Sequence, residues 1–126
     1  MSKIIKINSK EIMVTGTCYM GELYCSYAKI VDAIGEPSDM FDNYKSDAEW
    51  CLEFDNGMVA TIYNWKNGKN YCGEDGLELE DIDEWHIGGN DPIVVDLVND
   101  FIKNSWPVFD DIRKKAQANE TALGGV

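Results

Sequence analysis

The chain contains a single histidine. A metal site built on several imidazoles is therefore excluded, and any Ser-His-Asp or Cys-His device would have to use His86. Bases are scarce as well: 11 Lys and Arg stand against 23 Asp and Glu, for a formal net charge of −12. Tracking a nucleic-acid backbone requires a basic stripe. The few bases are scattered, so no polymeric nucleic acid is expected as a partner. No apolar run approaches the ~20 residues of a membrane span, and no signal peptide opens the sequence. A soluble cytoplasmic protein with no membrane partner is expected. CxxC spacing is missing among Cys18, Cys25, Cys51 and Cys72, which favours reduced structural thiols over a metal knuckle or a disulfide frame. GxxxxGK[ST] and GxGxxG are absent too, and no cofactor or metal is implied. There is no internal repeat.

What is present centres on one hairpin. Ala48, Trp50, Leu52 and Phe54 alternate with Asp47, Glu49, Cys51 and Glu53, the period-2 signature of a half-buried strand. Asn56-Gly57 accepts positive φ at little cost, so Met58–Trp65 returns antiparallel. Two registers follow. A two-residue Asn56-Gly57 turn sets Trp50 opposite Tyr63 and puts Trp65 in the core. A three-residue Asp55-Asn56-Gly57 turn sets Trp50 opposite Ile62, Leu52 opposite Ala60 and Phe54 opposite Met58. A one-residue slip exchanges the two faces of the return strand. The second register gives one plainly apolar face and is the expected one. It leaves Thr61, Tyr63 and Trp65 on the other face with Asp47, Glu49 and Glu53.

With 126 residues the chain forms one domain, 1–126, with residues 120–126 expected to fray. Lys3–Ile7 and Glu11–Val14 read as short strands, and Thr15–Glu22 as an irregular connection. Leu23, Tyr27, Ile30, Val31 and Ile34 make one helical stripe, stopped by Gly35 and Pro37. Asp39–Tyr44 is a loop. Asn67-Gly68 and Gly73–Gly76 mark loops, and Asp83–Ile87 resumes alternation with Trp85 and Ile87 on one face. Asn90 or Asp91 then caps a helix that opens with Pro92 and buries Val94, Leu97, Val98, Phe101 and Ile102. Phe109–Asn119 reads as a last helix. The fold class is α+β: a small antiparallel sheet built on the 47–65 hairpin, with helices packed on one face.

Chemistry-bearing patterns are sparse. Asp47, Glu49 and Glu53 share a strand face, but charged residues there are what any soluble sheet needs. The 8 acids between Glu74 and Asp91 lack the spacing of an EF-hand, so calcium is not expected. The densest binding pattern is Tyr63, Asn64, Trp65, Lys66, Lys69, Asn70 and Tyr71. Flat rings beside ammonium groups suit a planar base that carries phosphates. The candidate ligand-binding residues are Tyr63, Trp65, Lys66 and Lys69 from this pattern, with His86, Asn90 at the mouth of the next helix, Lys45 and Arg113. No residue is assigned to catalysis.

Several short words then carry a resemblance: Gly35-Glu36-Pro37, Tyr44-Lys45, Ala48-Glu49-Trp50, Phe54, Gly57, Val59-Ala60-Thr61-Ile62-Tyr63, Lys66 and Trp85-His86-Ile87-Gly88-Gly89. In order and spacing, from about Ile12 to Val98, they resemble the phage-encoded Thoeris anti-defence sponges. Those proteins are similar in size and α+β layout, and they form symmetric oligomers. They sequester cyclic ADP-ribose isomers made by bacterial immune enzymes, without cleaving them, and some hold cyclic oligonucleotides at a separate site. The resemblance implies a non-enzymatic homo-oligomer that binds a small cyclic nucleotide in the host bacterial cytoplasm. An isologous interface would also gather Lys45, Lys66, Lys69 and Arg113 locally against phosphates. Two other readings stay open: a small acidic inhibitor that mimics nucleic acid, and a hydrolase that uses His86.

Overall fold

A computed structural model of the protein describes residues 3–39 and 46–104. Five strands, β1 (Ile4–Ile7), β2 (Cys18–Tyr24), β3 (Glu49–Phe54), β4 (Val59–Tyr63) and β5 (Glu84–Gly89), make one antiparallel sheet. Their order is β1-β3-β4-β5-β2, so the hairpin is interior and β1 and β2 are the edges. Helix α1 (Tyr27–Ile34) and a helix over 93–104, here α3, cover one face; the single turn α2 (Lys69–Cys72) lies in the loop after β4. The fold is α+β.

The hairpin adopts the three-residue turn. Trp50 pairs with Ile62 and Leu52 with Ala60, while Phe54 N–H donates to the Met58 carbonyl at 2.9 Å. Gly57 takes φ +85° at the tip, a conformation glycine adopts without a Cβ penalty. Trp50, Leu52, Phe54, Ala60 and Ile62 are accordingly buried in one core with Trp85 and Ile87 of β5. Trp65 is 42% exposed and lies outside it.

The two core tryptophans also place α1. Trp50 Nε1 donates to the Gly35 carbonyl just past the helix, and Trp85 Nε1 donates to the Cys25 carbonyl just before it. Each buried indole N–H is thus satisfied. Tyr27 packs against both rings, at 5.9 and 6.2 Å. Ser26 caps the helix through Lys29 N–H, and Gly35 ends it with φ +95°. Leu23, expected in the helical stripe, belongs instead to β2, where it pairs with Trp85. Helix α3 starts as expected, with Asp91 Oδ1 accepting from Ile93 N–H. Its Val94, Val98 and Ile102 join the core. An added Cβ at Gly21 or Gly89 would lie 2.8 or 2.5 Å from a methyl of Val95 or Val94, so the helix rests almost on the sheet backbone.

Two expectations are corrected. Glu11–Val14 is a turn rather than a strand, with Ile12 N–H donating to the Ser9 carbonyl. The second strand is Cys18–Tyr24, which begins inside the segment read as irregular and runs past its end. A bulge between Tyr19 and Gly21 breaks its alternation against β5, which hides the period from the sequence. The loops after β4 hold short helical turns at Lys69–Cys72, Gly73–Asp75 and Leu79–Asp81. The Phe109–Asn119 helix, the frayed tail 120–126 and most of the Asp39–Tyr44 loop lie outside the described residues.

Candidate functional site

Covering one face of the sheet with helices leaves the other face to the outward residues of all five strands. Across its middle a row of rings crosses three strands. Tyr19 of β2 lies 4.7 Å from His86 of β5, and His86 lies 5.6 Å from Tyr63 of β4. Tyr63 in turn meets Trp65 edge-on at 6.0 Å. Next to the last two rings the face opens into a concavity of about 300 Å³ lined by Thr17, Cys18, Ser46, Glu49, Thr61, Tyr63, Trp65 and Gly88.

Strand pairing explains the shape of this hollow. Thr61 sits opposite Gly88, and an added Cβ at Gly88 would come within 2.5 Å of Thr61 Oγ1. Glycine therefore makes the floor that a larger residue would fill. Glu49 is paired with Tyr63 on the neighbouring strand. Burial, followed by the Glu49 carboxylate, pushes the Tyr63 phenol above its ordinary value. Thr61 is only 5% exposed. Among the described residues its hydroxyl finds no hydrogen-bond partner, and the side chain lines the concavity.

The rim is fixed by a polar knot. Asn64 is fully buried. Its Oδ1 accepts from the N–H groups of Asp47 and Ala48, and its Nδ2 donates to Asp47 Oδ1 and Asn67 Oδ1. Asp47 Oδ2 accepts from Asn70 N–H, and Asn70 Nδ2 donates to the Ser46 carbonyl. An added Cβ at Gly68 would sit 2.0 Å from Asp47 Oδ1, so this packing admits only glycine there. The knot ties the strand end that carries Trp65 to the segment entering β3. Asn64 and Asn70, which belong to the polar and aromatic pattern noted in the sequence, serve here to hold the backbone.

The expected site residues divide into three groups. Tyr63 and Trp65 line the concavity, and His86 adjoins Tyr63 on the same face. Lys66 takes a left-handed φ of +58°, which turns its ammonium to 5.5 Å from the Trp65 ring and 5.3 Å from the Tyr71 ring. It stands at the rim, held by two π-faces. Lys69 is drawn away by an ion pair with Glu78 at 3.4 Å. Asn90 faces the loop at Gly16 rather than the hollow, and Asp91 takes the cap. Lys45 and Arg113 lie outside the described residues. Thr61, Glu49 and Gly88 were missed as a set. The signal was present, because the expected register already put Thr61 and Glu49 on the face of Tyr63 and Trp65.

At the outer edge of the same face, Glu22 accepts hydrogen bonds from the phenols of Tyr19 and Tyr24. The Tyr24 bond, then the Tyr19 bond, hold the Glu22 carboxyl below its usual range. The Tyr24 phenol is pushed up to about 12, chiefly by that bond.

Fold and hollow together define a small α+β protein with a ligand-sized concavity on the uncovered face of its sheet. No protein-family model matches the chain, and no curated protein matches it. Among the described residues no three metal-ligating side chains cluster, and no helix is long and apolar enough to cross a membrane.

Proposed function

We propose that the protein binds and sequesters a small cyclic nucleotide, of the cyclic ADP-ribose kind, without cleaving it. In that reading it is a phage-encoded counter to a bacterial immune signal. The observation that carries the reading is the concavity, in which two aromatic rings, a carboxylate and a buried hydroxyl converge beside a lysine. Its volume of about 300 Å³ is at the lower end of ligand pockets, which run from about 300 to 1,000 Å³. One subunit thus has room for one nucleoside unit, and a second copy of the chain would enclose the remainder. Trp65 offers a stacking face, and Lys66 at the rim meets a phosphate. The sequence resemblance supports the same reading. His86 is packed between the rings of Tyr19 and Tyr63, which suits a packing role better than proton transfer.

Retention and recovery test the proposal. The protein is mixed with cyclic ADP-ribose isomers and with cyclic dinucleotides, separated from free ligand by gel filtration, and heat-denatured. Intact release of a retained compound is the expected result. An altered product would make the protein an enzyme. No retention of any of these compounds would remove the reading. It would favour the acidic-inhibitor alternative, which rests on the exposed carboxylates of Glu74, Asp75, Glu80, Asp81 and Asp83.

A further inference from the structure

Gly88 lies on β5, with β4 on one side and β2 on the other. A Cβ added at Gly88 would stand 2.5 Å from Thr61 Oγ1 of β4, 3.3 Å from the Cys18 carbonyl oxygen of β2 and 3.5 Å from Tyr63 Cε1. Two oxygens from the flanking strands therefore border one small notch, and a ring edge closes its third side. Thr61 is the unusual member. It is 5% exposed, it lines the concavity, and among the described residues its Oγ1 has no hydrogen-bond partner. Buried hydroxyls are normally satisfied.

The chemistry of the two oxygens selects what enters. A carbonyl oxygen only accepts, and its two lone pairs leave room for a second bond beside one made in the sheet, whereas a hydroxyl accepts or donates. A ligand group that meets both must bring hydrogen. An oxo group would turn its lone pairs on the Cys18 carbonyl. A hydroxyl has one hydrogen to give, whereas a primary amine has two and can donate one to each oxygen. Shape narrows the group further. Tyr63 and Trp65 stand edge-on to each other at 6.0 Å, and the notch beside the Tyr63 ring edge admits a flat group that arrives edge-first. Charge sets the other end of the ligand. Among the described residues the lining holds no Lys, Arg or His, so a phosphate finds its counter-charge at the rim, where Lys66 stands.

We infer that the Gly88 notch is the base-recognition subsite of the hollow, in which Thr61 Oγ1 and the Cys18 carbonyl accept the exocyclic amine of an adenine-type base that enters edge-first. This rests on the reading of the concavity as a nucleotide site. It adds which end of the ligand enters, and a preference for a 6-aminopurine over a 6-oxopurine.

The test uses the intact protein with the 5′-monophosphates of adenosine, inosine and purine riboside, which carry an amine, an oxo group and a hydrogen at the same ring position. Binding is followed by calorimetry and by tryptophan fluorescence, in the wild type and in Thr61→Val, whose fold its melting curve verifies. The wild type is expected to bind the amine at least about tenfold more tightly than either of the others. Thr61→Val should weaken the amine about tenfold and leave the purine riboside compound within about twofold, since nothing on that base reaches the hydroxyl. Equal affinity of the wild type for all three would overturn the amine subsite while leaving nucleotide binding intact. Preference for the oxo compound would mean that the floor donates rather than accepts, and would overturn it as well. An equal loss for all three in Thr61→Val would show that the hydroxyl does not meet the amine, with the same consequence. Binding of none of them at millimolar concentration would overturn both the subsite and the nucleotide reading.

Discussion

Replacing Thr61 with valine separates a residue kept for the fold from one kept for a ligand. Valine has nearly the same shape and is also β-branched, so the strand preference of the site is preserved. The exchange removes one hydroxyl that is 95% buried by its 5% exposure and supplies a methyl to the floor beside Gly88. A buried polar group without a partner costs about 1–3 kcal/mol. With unfolding entropy near 2.1 cal/mol/K per residue, a domain of 126 residues gains roughly 4 °C in Tm per kcal/mol. Thr61→Val should therefore raise Tm by about 4–12 °C in the absence of ligand. It should also weaken binding of a retained nucleotide by about tenfold, because the ligand loses a buried hydrogen bond. Differential scanning calorimetry and titration calorimetry read the two effects on the same preparation. A fall in Tm of several degrees would mean that the hydroxyl is bonded within the fold. Unchanged affinity would take Thr61 out of the site.

Three further outcomes are expected. Trp65→Ala should leave the melting temperature within a few degrees of wild type, since Trp65 is 42% exposed; loss of a stacking face should weaken nucleotide binding about tenfold to a hundredfold. A mutant that binds as wild type does would remove Trp65 from the ligand contacts. Native protein should show fast-reacting thiols at the exposed Cys18 and Cys72, whereas Cys25 and Cys51, with thiols pushed by burial up to about 12 and about 11, should react only on unfolding. Bound ligand should shield Cys18, which lines the hollow; labelling of Cys18 unaffected by a saturating ligand would place the ligand elsewhere. The Tyr24–Glu22 contact should be lost at both ends of the pH scale. Tyr24 has its phenol raised from 10.0 to about 12, so its contribution is full below pH 10 and disappears as pH rises through about 12. Glu22 has its carboxyl lowered from 4.5, so its contribution is present above pH 4.5 and is lost as pH falls through the depressed value. Tyr24→Phe should flatten both limbs of the stability profile; an unchanged profile would show that the bond does not contribute.

The sequence makes the core legible where chemistry and period agree. The three-residue turn could be chosen because only that register collects Trp50, Leu52, Phe54, Ala60 and Ile62 on one side, and that choice also exposes Trp65. Asp91-Pro92 announces α3 for equally local reasons. Strand β2 is obscured because a bulge at Tyr19–Gly21 shifts its alternation partway along. The glycine there is demanded by Val95 of a helix more than seventy residues downstream, as an added Cβ would lie 2.8 Å from its methyl. Asn64 looks like a surface amide in a run of polar residues, and only the arrival of Asp47, Ala48 and Asn67 makes it internal. The hollow draws on four separated segments, at Thr17-Cys18, Ser46–Glu49, Thr61–Trp65 and Gly88. No linear spacing announces it. The lining rings were findable because Tyr63 and Trp65 sit two residues apart in sequence, whereas the floor needed the register of β4 against β5.

The Asn64 knot divides the labour of inheritance along this chain. Ala60 and Ile62 before it in β4 are answerable to the core, and a change at either is felt throughout the packed interior. The next two side chains, Trp65 and Lys66, project beyond the anchor from a backbone that Asn64, Asp47 and Asn67 hold in place. Substitutions at those two positions can be sampled without renegotiating the fold. A lineage under pressure to follow a changing ligand could exchange its contact surface residue by residue while the scaffold stays as it is.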